Sequence, residues 1–152
     1  MNIFVLHDNP KIAAQMHNDK HVVKMILETA QLLCTSVIVN GGEAPYKCTH
    51  VNHPSAIWAR ESRNNYLWLV KLGLFLCKEY AYRYNKIHKS KAVIEYCLKN
   101  MPNFDKKEMT DFALAMPDLY KLGTAVESYR AYYLGEKMPI SNWTKRNKPN
   151  WI

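Results

Sequence analysis

Apolar residues recur at helical spacing along the first quarter of the chain. Between Ile12 and Val37 they broadly follow the steps of three and four that are typical of an amphipathic helix. Asn9 can cap this helix and Pro10 suits its first position, while "NGGEAP" ends it. The pattern predicts one long helix over residues 10–39. The preceding "IFVL" segment is either a short strand or a buried arm.

The remaining pattern also favours helices. It predicts a second long helix from Pro54 to Tyr84, a shorter helix over 89–99, and a turn-rich stretch with room for one short helix. Thr124 and Glu127 form a capping box that predicts a last helix. Because strand signals are nearly absent, we expect an all-α fold. It would be a compact single-domain helical bundle (1–152) with two long central helices and an irregular, basic, aromatic tail over 139–152.

The net charge and the cysteine spacing indicate which class of partner and which cellular compartment to expect. The net charge of +8 and the pI near 9.3 favour an anionic partner, nucleic acid before an acidic membrane surface. The four cysteines are too far apart for a zinc knuckle and fit reduced thiols. No leader is evident, and the longest apolar run, "LWLVKLGLFLC", is too short to span a bilayer. We therefore expect a cytoplasmic protein that does not engage a membrane.

A polar stripe on the first predicted helix is the main candidate for chemistry. His17, His21, Lys24, Glu28 and Gln31 follow one another at steps of three or four residues, which puts them on one helix face. A solvated face is the ordinary interpretation of such a stripe. Histidine is a poor choice for solubility, however, and this helix should lie at the centre of a small bundle.

Further polar residues could join this stripe if the two long helices face each other. The expected substrate-binding set is Asp19, Lys20, His50, Asn52, His53, Glu61 and Asn65. Titratable groups that share a partly desolvated cleft are suited to general acid–base chemistry. For the two loop histidines an alternative stays open, namely loop structure with one imidazole capping the second long helix.

A zinc site is the less favoured interpretation. His17 and His21 are four residues apart and could bind one ion from a helix face. The stretch is HNDKH, however, and lacks the glutamate of the HExxH motif. Lys20 and Lys24 would also bring positive charge close to a cation. We therefore predict neither a metal nor another cofactor.

Basic residues interleaved with aromatic residues point to nucleic acid. "YAYRYNKIHKSK" and "WTKRNKPNW" combine phosphate-binding groups with surfaces for stacking. Tyr80 and Tyr84 are better explained as half-buried helix residues. The predicted nucleic-acid-binding residues are Arg60, Arg63, Arg83, Lys86, His88, Lys89, Arg130, Trp143, Lys145 and Arg146.

Three stretches give the chain a family resemblance. "AAQMHNDKHVVKMILETAQLL", the basic aromatic middle helix and "YRAYYLGEK" resemble the phage pyrimidine-dimer DNA glycosylases of the endonuclease V type. Uncharacterised phage proteins sharing "DKHVVKMILETAQ", "THVNHP" and much of "AMPDLYK" are identified as members of this family. The resemblance to those proteins extends over nearly the whole length.

The resemblance implies an all-α enzyme that binds DNA on a basic face, flips out a base and needs no metal. In the family an N-terminal amine attacks the sugar C1′, displaces the base and forms a Schiff base. A glutamate on the first helix assists, and elimination then cleaves the strand. His17 matches the family's helix-one histidine. Lys24 stands at the glutamate's place, and Glu28 is the nearest acid on the stripe.

We therefore expect a DNA glycosylase/AP lyase. The proposed catalytic residues are Met1, His17, His21, Lys24 and Glu28. The amine of Met1, of Lys20 or of Lys24 would be the nucleophile, and Glu28 would act as acid and base. Two alternatives remain open: an enzyme acting on a nucleotide or small phosphorylated substrate, and a non-catalytic phage protein that binds a host factor.

Overall fold

The computed structural model describes all 152 residues and contains no strand, which confirms the all-α prediction. The six α-helices are α1 (Pro10–Met16), α2 (Asp19–Val39), α3 (Pro54–Glu61), α4 (Arg63–Tyr84), α5 (Lys91–Lys99) and α6 (Ala125–Tyr132). Short helical turns cover Asp118–Tyr120, Tyr133–Lys137 and Met138–Ile140. Two helices, α2 and α4, are much longer than the rest, as predicted.

The two long helices organise a single hydrophobic core. Helix α4 packs against α1, α2, α3 and α5, and α2 also contacts α3 and α5. One cluster of 29 buried apolar residues joins these elements. Residues 3–6 are all buried in it as an extended arm, so the buried-arm alternative for the N-terminus is the right one.

The prediction of one helix over 10–39 was wrong, because the chain breaks at His17 and Asn18. The Asn18 side chain accepts a 2.8 Å hydrogen bond from the His21 amide and so begins a new helix. Two distant side chains satisfy the free carbonyls at the end of α1. Arg83 donates to the carbonyls of residues 15 and 17, and Trp143 donates to that of residue 16.

The second predicted long helix is also two helices. Ser62 is extended (φ −152°, ψ 159°), and its hydroxyl accepts a hydrogen bond from the Asn65 amide at 3.1 Å. A serine in this conformation ends α3 and caps α4. The predicted outer limits of the pair, Pro54 and Tyr84, are correct.

The predicted caps of the other helices are confirmed. Asn9 accepts from the Lys11 amide at 2.9 Å. The Thr124 hydroxyl accepts from the Glu127 amide at 3.2 Å and so caps α6, as predicted, but the Glu127 carboxylate accepts from that hydroxyl and not from the Thr124 amide of a full capping box. The predicted short helix near residue 90 is α5.

One helix, α2, is long and apolar enough to cross a membrane by length and composition alone. Two thirds of its apolar window (67%) is buried inside the fold, which is typical of the core helix of a globular protein.

Candidate active site

A cleft opens where the N-terminal arm meets α2 and the segment that follows α6. Its volume is about 150 Å³. Its lining residues are Met1, Asn2, Phe4, His21, Lys24, Met25, Glu28, Tyr132 and Lys137. Four of the five residues predicted as catalytic from the sequence therefore lie at one cleft.

The centre of the cleft is an amine beside a carboxylate. The terminal amine of Met1 lies 3.3 Å from Oε1 of Glu28, and the Asn2 amide donates to the same oxygen at 3.0 Å. The Glu28 residue is only 6% exposed. An ion pair with so little access to water is screened less than a surface pair. The geometry places the terminal amine and a carboxylate that could take its proton in direct contact.

The arm is held in this position by its second residue. Asn2 donates from its side-chain nitrogen to the Ala115 carbonyl at 2.8 Å, and its Oδ1 lies 3.1 Å from the Tyr129 hydroxyl. Tyr129 is fully buried, and its single hydroxyl proton is shared between Asn2 and the Ala113 carbonyl, which lies 2.7 Å away. The "ALAMPD" segment and α6 thus fix the amine against α2. This placement limits the loss of entropy on forming a reactive geometry.

Two lysine side chains stand at the cleft. The ammonium nitrogen of Lys24 lies 3.9 Å from Oε2 of Glu28, and its side chain is 70% exposed. The ammonium nitrogen of Lys137 lies 4.8 Å from the centroid of the Tyr132 ring. Both charges act on the neighbouring His21 ring. The cleft is therefore suited to an anionic ligand.

His21 forms the inner wall as a neutral imidazole. Its Nδ1 lies 2.6 Å from the Tyr133 hydroxyl, and its ring stacks on Phe4 with centroids 4.3 Å apart. Burial first, and then the positive charges of His17, Lys137 and Lys24, lower the pKa of His21 to about 3. The ring can position neighbouring groups at neutral pH, but it carries no proton to give away as an acid.

His17 does not line the cleft, in contrast to the sequence prediction. Its side chain is fully buried at the α1–α2 break, where Nδ1 lies 2.6 Å from the Ala13 carbonyl and Nε2 has no partner. Burial lowers its pKa to about 4. The break in the helix takes His17 off the stripe and gives it a structural role.

The predicted substrate-binding residues divide into two groups. His53 caps α3 by accepting from the Ser55 amide, as in the alternative left open for it. Burial first, and then the positive charge of the terminal amine, lower the pKa of His53, which does not line the cleft. Lys20, His50 and Asn52 are exposed at the surface.

The other three members of that set support the fold. Asp19 accepts hydrogen bonds from Arg83 and from the backbone and hydroxyl of Thr144. Glu61 and Asn65 both bind Thr110 and so anchor the segment that follows α5. The expected cleft between the two long helices, with these carboxylates and amides inside it, is not formed.

Several predicted nucleic-acid-binding residues also have internal partners. Arg83 is 3% exposed, which rules out direct contact with DNA in this structure. Six other members contact groups of the protein itself. Five of them contact a backbone carbonyl: Arg60 that of Val51, His88 that of Val23, Arg130 that of Leu6, Trp143 that of Met16 and Lys145 that of Tyr82. Arg146 binds the Glu79 carboxylate. Arg63, Lys86 and Lys89 are exposed.

Sequence reasoning missed the residues that position the amine. Asn2 and Tyr129 are 127 residues apart in the chain, and no local spacing connects them. The one local signal was the aromatic "YRAYY" segment, part of the "YRAYYLGEK" stretch that carries the resemblance. Tyr129 and Tyr133 of that segment hold the arm and His21.

No group of three or more His, Cys, Asp or Glu side chains in the chain is arranged to hold a metal ion. No protein-family model, curated protein or solved structure matches the chain.

Proposed function

We propose that the protein is a DNA glycosylase/AP lyase whose nucleophile is the amine of Met1. The observation that carries the proposal is the 3.3 Å contact between that amine and the Glu28 carboxylate in an open cleft. The resemblance to the phage pyrimidine-dimer glycosylases supports it, since that family also uses an N-terminal amine and a glutamate.

Among the three candidate amines, Met1 has the best surroundings. Lys24 extends largely into solvent, and Lys20 does not line the cleft. A carboxylate in contact with the amine can take the proton that must leave before attack.

The proposed reaction follows from these groups. Glu28 takes a proton from the Met1 ammonium, and the nitrogen lone pair then forms a bond to C1′ of the deoxyribose. The bond between C1′ and the base breaks, and the base leaves with that electron pair. The departing base takes the extra proton of the attached nitrogen. The nitrogen lone pair then forms the imine to C1′ as the C1′–O4′ bond breaks, and O4′ takes the proton that Glu28 carries. Glu28, ionised again, is the available base for the C2′ proton, and its removal breaks the C3′–O bond so that the 3′ phosphate leaves with that electron pair.

In this proposal Glu28 takes the role of the family's glutamate, whose position is occupied by Lys24 in this chain. It is one helical turn further along α2, yet its carboxylate reaches the amine because the arm is tied down at Asn2. The chain can therefore keep amine-based chemistry with its acid at a different position. Lys24 and Lys137 would then bind phosphate beside the reacting sugar.

Borohydride trapping tests the proposal. Labelled duplexes with an abasic site, a thymine dimer or neither would be mixed with the protein, and covalent adducts would be resolved on a denaturing gel. We expect adducts with the abasic duplex for the unaltered protein and for the control Glu95→Gln, an exposed glutamate on α5. Glu28→Gln should lower the trapping rate by about 100-fold, a typical contribution for a general base.

The outcome that contradicts the proposal is equally clear. If no adduct forms although the protein binds the duplex, or if Glu28→Gln traps as fast as Glu95→Gln, the amine–carboxylate pair is not the reactive centre. A ligand-induced rise in melting temperature with nucleotides would then favour the small-substrate alternative.

A further inference from the structure

A second basic surface lies away from the Met1 cleft and shares no lining residue with it. It is a furrow of about 230 Å³ between α1 and α4, closed at one end by the C-terminal tail. The side chains that matter are Lys11 and Gln15 of α1, Phe75, Lys78 and Tyr82 of α4, and Arg146 of the tail.

The furrow carries excess positive charge. Lys11 and Lys78 are exposed, and neither forms a salt bridge. Lys71 lies on the same face of α4, two turns before Lys78, and is also exposed and without an acidic partner. The one acid in the lining, Glu79, is 4% exposed and accepts hydrogen bonds from two arginines. Its charge is therefore already compensated.

One exposed ring, that of Tyr82, lies among these cations. Tyr82 is 48% exposed, and the Arg146 guanidinium lies 4.6 Å from its ring centroid. Glu79 fixes that guanidinium through two hydrogen bonds, of 3.0 and 2.7 Å. The guanidinium lies over the ring, and the Lys145 ammonium lies 5.7 Å from the same ring centroid. A fixed guanidinium over a tyrosine ring gives a cationic planar surface of the kind on which nucleobases stack. Phe75 is half-buried, and the Lys78 ammonium lies 5.4 Å from its ring.

We propose that this furrow binds a single-stranded nucleic acid segment. Lys11 and Lys78 would contact phosphates, and an unpaired base would stack on the Tyr82–Arg146 platform. The exposed Tyr82 ring distinguishes this partner from a duplex, whose bases are already stacked and which would use only the lysines. The site goes beyond the proposed reaction and does not depend on it, because the Met1 cleft contributes none of its residues.

Fluorescence anisotropy with a labelled thymidine oligonucleotide of about 12 nucleotides tests this site. The variants are Tyr82→Leu, Tyr82→Phe and the double change Lys11→Gln/Lys78→Gln. Both Tyr82 variants lose the hydroxyl that donates to the Lys145 carbonyl, so any loosening of the tail is common to them. The matched control is Lys106→Gln/Lys107→Gln, two exposed lysines beside the other end of α4.

We expect Tyr82→Leu to weaken binding by about tenfold, and Tyr82→Phe to bind within about twofold of the unaltered protein. The double lysine change should reduce the slope of log K against log salt by about 1.4, whereas the control leaves it unchanged. Glu95→Gln, at an exposed glutamate on α5 that lines neither site, should bind the oligonucleotide normally, and this binding is expected whether or not the lyase reaction is observed. Equal losses for both Tyr82 variants, or an equal change of slope in the control, would overturn the proposal.

Discussion

Two buried histidines should make the protein sensitive to mild acid. His17 and His21 are 0% and 5% exposed, and their pKa values are lowered to about 4 and about 3. In the unfolded chain both would titrate near the usual value of about 6.5. The unfolded state therefore binds more protons between about pH 6.5 and pH 4, and stability falls as the pH falls through this window. Above this pH window both histidines are neutral in the folded and the unfolded state, so they no longer lower the free energy of unfolding.

The size of the effect follows from linkage. At about pH 5 an unfolded histidine gains about 2 kcal/mol from protonation, while the folded form of either residue gains almost nothing. The unaltered protein should therefore lose about 4 kcal/mol of unfolding free energy between about pH 7.5 and pH 5 from these two groups. That amount is a large part of the stability of a typical domain, about 5–15 kcal/mol.

Urea denaturation followed by tryptophan fluorescence at both pH values measures this loss. The variants are His17→Asn and His21→Asn, in which the amide can replace Nδ1 but cannot titrate. Each should lose about 2 kcal/mol less than the unaltered protein over the same pH interval, whatever its stability at the higher pH. His50→Asn, which changes an exposed histidine, is the control. An identical pH dependence in all four proteins would refute the reasoning.

Two further predictions concern packing. Arg83→Met should destabilise the fold by about 3–5 kcal/mol in chemical denaturation, because two carboxylates and two carbonyls lose a buried partner. The control Arg63→Met changes an exposed arginine and should lower the free energy of unfolding by less than about 1 kcal/mol. Equal losses of unfolding free energy in the two variants would contradict the structural role of the buried Arg83. Gly73→Ala should cost about 1–2 kcal/mol, since its Cβ would lie 2.8 and 2.9 Å from atoms of Thr29 and Ile94. A stabilised variant would show that α2 and α5 can move away from α4 to make room for the methyl group.

Local signals in the sequence predicted the parts of the fold that depend on local structure. The caps at Asn9 and Thr124 act within one turn, and both are found in the structure. The helix break at His17 could not be found in this way. It depends on Asn18 together with Arg83, which is 65 residues further along the chain.

The candidate site likewise combines residues that local spacing predicts with residues that only long-range contacts bring together. The spacing of His21, Lys24 and Glu28 on α2 predicted three residues that do meet at one cleft. The position of the Met1 amine depends on Asn2 binding Ala115 and Tyr129. The tail was predicted as a DNA-binding segment from its composition, yet Trp143 and Arg146 hold it against α1 and α4. Residue type alone does not distinguish an arginine that binds phosphate from one that binds a buried glutamate.

The most direct test of the central claim is the identity of the trapped amine. Intact mass spectrometry would first establish that the purified protein carries a free Met1 amine. After trapping on abasic DNA, nuclease digestion and peptide mapping would locate the remaining sugar fragment. We predict the added mass on the peptide that begins at Met1, with Lys24→Gln trapping at the same position. An adduct on Lys24 or Lys20, with Met1 unmodified, would contradict the account.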